Sequence, residues 1–392
     1  MASIELAQPS AETTSSPRIV HCSKTGVMLS GRTPPTLDMV SLYGVVEQGN
    51  KIDTITLDDA WAFRIKGVDE IVGCMRECVR KEMVWDDSSF TLDQDTRTIL
   101  LDPKHRVGDD IAASCHRALS DLCLLNRGRF NNCFDSWLTK SESRREFQPI
   151  HAADSKRQDL TIPLPARGLF GVITVGVHLN VYTTKQQHGV EVIDQIWVSH
   201  RAKGVSFSYS GMLDQVVAGG MDLVDQISGV LSPCVTLKRE AEEEAGLLLD
   251  LDTKETFMDD EDGRRRLVGS VEQAPAITFY DFKGHDAGCG NQGHLEPGVR
   301  FVYDLRVETS FRPRTEEQSI ERFDTFAVDE VKQSLRDKRW KPNCGLVMLD
   351  FLVRKGLVTE ENDDRFRDIT LGLRRSLPFE FAQDGFQVLH SW

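Results

Sequence analysis

The chain has 392 residues, of which 40% are hydrophobic and 28% are charged, and its formal net charge is −14. This length accommodates about two domains, and the composition is that of an ordinary globular protein. The negative charge argues against non-specific binding to nucleic acid or to anionic membranes. No apolar run approaches the roughly 20 residues of a membrane-spanning helix, so the sequence also argues against a membrane protein.

The first residues and the cysteines predict a cytoplasmic protein. Residues 1–18 are rich in Ser, Thr, Ala and Pro, a composition that predicts a disordered tail. Residues 1–20 lack the apolar core of a secretory signal and the Arg-rich character of a transit peptide. The nine cysteines are scattered without a Cys-x-x-Cys motif, which favours free thiols in a reducing compartment.

Residues 19–150 are predicted to form a small α/β domain without obvious catalytic residues. Apolar periodicity predicts a helix at 36–46 capped near Thr36, a strand at 54–63, a helix at 68–84, a hairpin at 90–101 and a helix at 109–125. The turn of the hairpin is expected at residues 93–95. The polar stretch 137–160 is predicted to be a boundary between domains.

Residues 160–380 are predicted to form an α/β/α sandwich with a mixed sheet, followed by a tail at 381–392. Dense apolar runs predict strands at 168–182, 190–199, 267–282 and 300–307, with a hairpin turn at 185–189. Helices are predicted at 328–335, 343–355 and 359–374, the last one capped by Thr359. Residues 258–266 and 284–298 are expected to be loops.

An acidic helix at 233–246 carries the clearest chemical signal. Pro233 after Ser232 is typical of a helix start, and Gly246 is typical of a helix end. Three carboxylates fall at i, i+3 and i+4 and therefore share one face: Glu240, Glu243 and Glu244. Three apolar residues fall on another face, where they can pack on a sheet: Leu237, Ala241 and Ala245.

A divalent cation would explain this crowding of carboxylates. Neighbouring carboxylates on a helix repel each other by a few tenths of a kcal/mol per pair unless a cation lies among them. A strand-like segment at 213–218 precedes Gly219 and Gly220, which are predicted to form a turn beside the helix. Mg²⁺ prefers a few carboxylates together with waters and phosphate oxygens. A solvated acidic surface is the alternative interpretation.

The run Arg-Glu-Ala-Glu-Glu-Glu-Ala-Gly-Leu at 239–247 resembles the second half of the Nudix box, the signature of hydrolases that cleave a diphosphate linked to another group. The first half departs from that pattern. Counted back from Arg239, the first glutamate of the box is replaced by Leu231. Counted forward from Gly219, its position is held by Asp225. An insertion at 225–230 would reconcile the two counts.

The resemblance extends to a Nudix subgroup that carries an extra N-terminal domain and is related to the domain fused to thiamine pyrophosphokinase. The matching segments are 171–182, 196–198, 213–214, 217–220, 301–305, 311–314, 341–352 and 373–379. Plant and fungal members of this subgroup are similar to enzymes that hydrolyse damaged, oxidised thiamine diphosphate to monophosphates. Two further acids of the subgroup pattern are absent, because Ser319 and Gly298 stand at their positions.

The resemblance implies a site for Mg²⁺ or Mn²⁺ and a small-molecule diphosphate as substrate. The implied cation ligands are a backbone carbonyl at Gly220 and the carboxylates of Glu240, Glu243 and Glu244. Glu240 would also orient or deprotonate water, and Arg239 would hold a carboxylate in place. Glu321, Glu316 or Glu317 would supply the missing loop carboxylate. The candidate substrate contacts, for which surface or core roles are the alternatives, are Arg201, Lys203, His178 and Tyr209.

Two other functions are compatible with the sequence. The missing acids and the lengthened turn suit a repurposed Nudix fold of fungal specialised metabolism, acting on a prenyl diphosphate or catalysing a non-hydrolytic reaction. Activity that survives removal of divalent cations would favour this alternative. A non-catalytic binding module is the third hypothesis, and the intact acidic helix argues against it.

Overall fold

The computed structural model of the protein describes residues 40–52, 60–104, 108, 110–151, 159–205, 207–288 and 290–377. The predicted tails at 1–18 and 381–392 lie outside these residues, as does Thr36. The helices in the described ranges are α1 (Tyr43–Gly49), α2 (Glu77–Glu82), α3 (Ile111–Leu125), α4 (Asp135–Thr139), α5 (Pro233–Ala245), α6 (Val328–Arg336), α7 (Pro342–Arg354) and α8 (Phe366–Gly372).

The strands in the same ranges are β1 (Ala60–Ile65), β2 (Gly73–Arg76), β3 (Phe90–Asp93), β4 (Thr98–Leu101), β5 (Phe147–Pro149), β6 (Thr161–Pro163), β7 (Thr174–Gln187), β8 (Val190–Arg201), β9 (Leu213–Asp214), β10 (Val217–Gly220), β11 (Gln226–Ile227), β12 (Val230–Leu231), β13 (Leu248–Leu249), β14 (Glu255–Asp259), β15 (Arg265–Phe282), β16 (Leu295–Arg306) and β17 (Ile320–Phe326).

The first sheet lies in the N-terminal part of the chain and has the strand order β2-β1-β4-β3. β1 and β4 are parallel, whereas the other pairs are antiparallel, and β3 and β4 form the predicted hairpin. One buried cluster joins Phe63 of this sheet with Leu119 of α3 and with Ile162 and Phe170. This part of the chain is therefore α/β, and the domain boundary at 150–160 stays a prediction.

The predicted helix at 68–84 is wrong in its first half. There β2 pairs with β1, and α2 begins only at Glu77. Cys74 and Met75 are both fully buried, so this strand lacks the alternation of polar and apolar residues that distinguishes a strand from a helix. Gly73 allows close packing, since a Cβ at this position would be 2.4 Å from the carbonyl oxygen of Phe170.

The second sheet is mixed, with the strand order β13-β14-β15-β16-β7-β8-β17. β10 pairs with β7, and β9 pairs with β8. β16 and β7 are parallel, whereas β7 and β8 form an antiparallel hairpin. The turn of this hairpin is limited to His188 and Gly189, whose φ angles are 52° and 79°. Positive φ at both residues is what a type I′ two-residue turn requires.

Helices cover both faces of the second sheet. Along β7 and β16 successive side chains point to opposite faces, as the strand period of two demands. Val177 and Phe301 pack in the same buried cluster as Leu237 of α5. Val302 packs instead in the cluster that contains Val347 of α7. The predicted α/β/α sandwich with a mixed sheet is therefore confirmed.

Several predicted segments have different limits in the structure. α8 begins at Phe366 and is shorter than the predicted helix, and Thr359 lies in a turn before it. The stretch predicted to be a polar boundary contains β5 and the buried Trp137. β16 begins at Leu295, inside the predicted loop 284–298. Residues 219–220 end a strand rather than form a turn. For β5, β10 and β16, pairing with distant strands sets these limits, and local sequence patterns do not show it.

Candidate active site

The acidic helix α5 begins and ends at the predicted residues. Pro233 is its first residue, and Gly246 ends it with a left-handed φ of 65°. Ser232 precedes the helix, but its hydroxyl lies 3.0 Å from the thiol of Cys234 instead of capping the backbone. Buried side chains hold α5 against β7 and β10, and they are the predicted ones: Leu237, Ala241 and Ala245.

Gly219 allows α5 to lie close to β10. A Cβ at this position would be 1.9 Å from Cδ of Glu240, so the glutamate occupies the space that a larger residue would need. At Gly220 the corresponding space is open, and the nearest atom is Nε2 of Gln148 at 3.6 Å. The position of Glu240 therefore requires glycine at residue 219, whereas residue 220 has room for a side chain.

Arg239 links most of the cluster. Its guanidinium forms a bidentate pair with Asp225, with distances of 2.8 Å from Nε and 2.9 Å from Nη2. Nη1 donates to Glu240 at 2.9 Å and to Glu243 at 3.1 Å. Nη2 also donates to the carbonyl oxygen of Gly220 at 3.2 Å. Charge-assisted bonds of this kind fix carboxylate orientation.

The structure distinguishes the two alternatives for the first acid of the box. The side chain of Asp225 is only 1% exposed, and it also accepts a hydrogen bond from the backbone of Asp222 at 2.8 Å. Leu231 lies instead in the apolar cluster beneath α5. Asp225 thus brings a carboxylate to Arg239 from the lengthened loop, and Leu231 contributes to the core.

Glu240 and Glu244 are the less exposed carboxylates of the helix. Burial raises the pKa of Glu240 to about 7, against the opposing effect of Arg239. Burial, reinforced by the charge of Glu240, raises the pKa of Glu244 to about 8. Glu244 accepts a hydrogen bond of 2.7 Å from the backbone N–H of Ala218. Glu243 is 54% exposed and lies at the solvent side of the cluster.

This oxygen donor set fits a hard divalent cation. Glu240, Glu243, Glu244 and the carbonyl of Gly220 belong to one cluster, and such oxygens are the ligands that Mg²⁺ and Mn²⁺ prefer. The raised pKa values of Glu240 and Glu244 also fit a cation site, because buried carboxylates ionise readily only beside compensating positive charge. Arg239 supplies part of that charge.

Another group with possible metal ligands lies on the opposite face of the sheet. Ligand atoms of His178, Asp214 and Cys344 are all within 4.8 Å of one another and are buried. These side chains have protein partners, however. Nδ1 of His178 is 2.8 Å from Oε1 of Gln215, and Asp214 pairs with Arg201 at 3.2 Å. The group has the contacts of a polar core.

The predicted substrate residues are spread over the neighbouring strands. His178 and Tyr209 are buried, with 2% and 6% exposure, and Arg201 is occupied by Asp214 and by the carbonyl of Ser208. Lys203 is exposed and lies 3.9 Å from Glu321. Glu321 also pairs with Arg322 on β17, which is separated from β7 by β8. The roles of these residues stay predictions.

Sequence reasoning missed a set of buried charges on β16 and around it. Glu296 and Arg300 are 9% and 7% exposed within a strand whose other residues before Arg306 are also buried. Arg167, Lys283 and Lys341 approach them from three other segments. Two charged residues four positions apart, on one face of an otherwise apolar strand, were the available signal, because such residues are rarely buried without partners.

No family model matches the chain. Individual proteins of known sequence do resemble it. An uncharacterised protein of Saccharomyces cerevisiae is 27% identical over 57% of this chain. Nudix hydrolase 20, chloroplastic, of Arabidopsis thaliana is 26% identical over 56% of this chain. The chain spans 59% and 49% of the length of these two relatives. These matches support the resemblance to the Nudix hydrolase superfamily.

Among solved structures, a Nudix hydrolase from Nitrosomonas europaea is 16% identical with a TM-score of 0.25, covering 46% of this chain and 95% of that chain. None of the helices in the described ranges combines the length and the hydropathy needed to cross a bilayer.

Proposed function

We propose that the protein is a Nudix-type hydrolase that cleaves the diphosphate linkage of a small organic diphosphate and requires Mg²⁺ or Mn²⁺. The observation that carries this proposal is the α5 cluster, in which Arg239 joins Asp225, Glu240 and Glu243 beside the buried Glu244. The similarity to a plant Nudix hydrolase supports it. Oxidised thiamine diphosphate, hydrolysed to a monophosphate, is the substrate that the subgroup resemblance favours.

Each side chain of the cluster has a distinct part in this proposal. Glu240, Glu243, Glu244 and the Gly220 carbonyl hold the cation, which when bound neutralises the diphosphate and acidifies the attacking water. Glu240 orients that water and accepts its proton. Arg239 keeps Glu240 in place through its bond of 2.9 Å.

Release of phosphate or monophosphate from a panel of organic diphosphates tests this function. We expect turnover with Mg²⁺ or Mn²⁺, none with EDTA, and losses of at least about 100-fold in Glu243→Gln and Glu244→Gln, since each variant removes a cation ligand. Glu242→Gln is the matched control, because Glu242 is exposed on the same helix. Equal rates in the wild type and in both ligand variants would refute the assignment.

The alternative of a repurposed fold has one structural observation in its favour. The acid that the subgroup places at position 298 does not fit here, because a Cβ at Gly298 would be 2.1 Å from the ring of Phe279. The ring of Phe279 therefore fills the space that this acid would need. Conversion of a prenyl diphosphate that continues in EDTA would favour this alternative over hydrolysis.

A further inference from the structure

A cluster of cationic side chains, separate from the α5 carboxylates, surrounds Glu296. Nη2 of Arg300 is 3.7 Å and Nη2 of Arg167 is 3.9 Å from the same oxygen of Glu296. Burial opposes ionisation of Glu296, but Lys283, Arg167 and Arg300 outweigh it and lower its pKa to about 2. Lys341 also contributes to this effect. Four cations thus converge on one buried carboxylate.

The nearby acids do not balance this positive charge. Asp281 is paired with Lys51 at 3.2 Å. Asp214 is shared, since it lies 3.2 Å from Arg201 and 3.9 Å from Lys341. Buried charge without a counter-charge is costly, so an excess of cations among these buried side chains favours binding of an anion.

The cluster also has unused hydrogen-bond donors. The distances from Arg167 and Arg300 to Glu296 exceed the length of a hydrogen bond. Nε of Arg167 is buried without a partner, and so is Nε2 of His294. Among the described residues, the ammonium of Lys283 has neither a hydrogen bond nor an ion pair. Buried polar groups normally have hydrogen-bond partners within the protein, so these unpartnered groups are available to a ligand.

Strand register brings the cationic cluster level with Gly220, whose carbonyl belongs to the acidic cluster. Arg300 on β16 is paired with Gly176 on β7, which is paired with Gly220 at the end of β10. The two glycines place no side chain between Arg300 and β10. Gln148 lies over Gly220 and accepts a hydrogen bond from Nη1 of Arg167. A bound anion would therefore be close to the carbonyl of Gly220.

Lys341 connects the two clusters as well. Burial raises the pKa of Glu244 and opposes the lowering of the pKa of Glu296, and the Lys341 ammonium is near enough to lower both. Its side chain is 19% exposed and lies at the start of α7. One face of the site thus offers oxygen ligands to a cation, while the adjoining face offers positive charge.

We propose that Arg167, Lys283, Arg300 and Lys341 form a pocket for a phosphate group of the substrate, with Glu296 lying between Arg167 and Arg300. This inference rests on the proposed function in naming an organic diphosphate as the ligand. The α5 carboxylates would hold the cation at the linkage to be cleaved, and the cationic pocket would bind the phosphate next to it. Phosphate oxygens suit both lysine and arginine donors.

Calorimetric titration with inorganic pyrophosphate in EDTA tests the pocket without turnover. We expect the wild type to bind and Lys283→Met to bind at least about 10-fold more weakly, because the variant loses one charge and its donors. Lys283→Arg should restore most of the affinity. Lys66→Met is the matched control, since Lys66 is an exposed lysine of the first sheet. Lys341→Met provides a second test if Lys283→Met does not fold.

The outcomes separate the pocket from the proposed function. Wild-type binding of pyrophosphate that both lysine variants weaken supports the pocket, even if no diphosphate is hydrolysed. Absence of binding by the wild type, or wild-type affinity in a folded Lys283→Met or Lys341→Met variant, overturns the pocket. Hydrolysis of diphosphates by Lys283→Met with an unchanged KM would overturn the pocket and leave the proposed function intact.

Discussion

Glu244→Gln should make the protein more stable in the absence of metal, and the gain should grow with pH. The substitution keeps an oxygen that can accept the 2.7 Å hydrogen bond from Ala218 and removes the charge. Burial raises the pKa of Glu244 from its usual 4.5 to about 8, so the folded protein retains a proton that the unfolded chain releases. This contribution to stability is complete below pH 4.5 and is lost as the pH rises to about 8.

The size of the effect follows from the same two pKa values. Each pKa unit corresponds to about 1.36 kcal/mol. Between pH 6 and pH 8 the wild type should therefore lose about 2 kcal/mol of unfolding free energy that the glutamine variant does not lose. Added Mg²⁺ should reverse the order, because the cation compensates the charge of Glu244 in the wild type and finds one ligand fewer in the variant.

Urea unfolding at pH 6 and pH 8, in EDTA and then in Mg²⁺, measures these differences. Glu242→Gln serves as the control, because Glu242 is an exposed residue of the same helix. The change to an isosteric amide there should leave the cluster unaltered. The reasoning would be refuted by parallel pH dependence of the wild type and Glu244→Gln in EDTA, or by equal stabilisation of both proteins by Mg²⁺.

Four further substitutions test the geometry of the cluster. Asp225→Asn should lower the unfolding free energy by about 2 kcal/mol, because it breaks a bidentate pair whose carboxylate is buried; urea unfolding measures this, and unchanged stability would contradict it. Leu231→Glu should destabilise by roughly 3 kcal/mol instead of restoring the box, since this side chain is 3% exposed in the core. Gly219→Ala should abolish the thermal stabilisation by Mg²⁺ because its Cβ would displace Glu240, whereas Gly220→Ala should retain it. Equal losses of Mg²⁺ stabilisation in the two glycine variants would show that the close approach of Glu240 to Gly219 is not important for cation binding.

The acidic helix could be located from sequence because its limits depend on local signals. Pro233 presets the first turn, and Gly246 adopts a left-handed conformation that other residues avoid. The partner of Arg239 could not be located in this way. Counting along the chain left Asp225 and Leu231 as alternatives, and only the path of the loop between β10 and α5 places one beside the guanidinium and the other in the core.

The cationic pocket could not be predicted from the sequence for a related reason. Arg167, Lys283, Arg300 and Lys341 come from four segments, and none of these segments has a pattern that predicts the others. Strand register brings Arg300 level with Gly220, and that register becomes visible only in the folded sheet. His178 is a candidate substrate contact with a core role as the alternative, and the structure places it 2.8 Å from Gln215 in the core.

The β5–β6 hairpin crosses the region between the two predicted domains, and it brings the amide of Gln148 over the last glycine of β10. A fragment starting at residue 160 would keep every carboxylate of α5 and lose this amide. The hydrogen bond between Gln148 and Arg167 therefore joins side chains from both predicted domains. Substitution of Gln148 would change this contact and leave the acidic helix untouched.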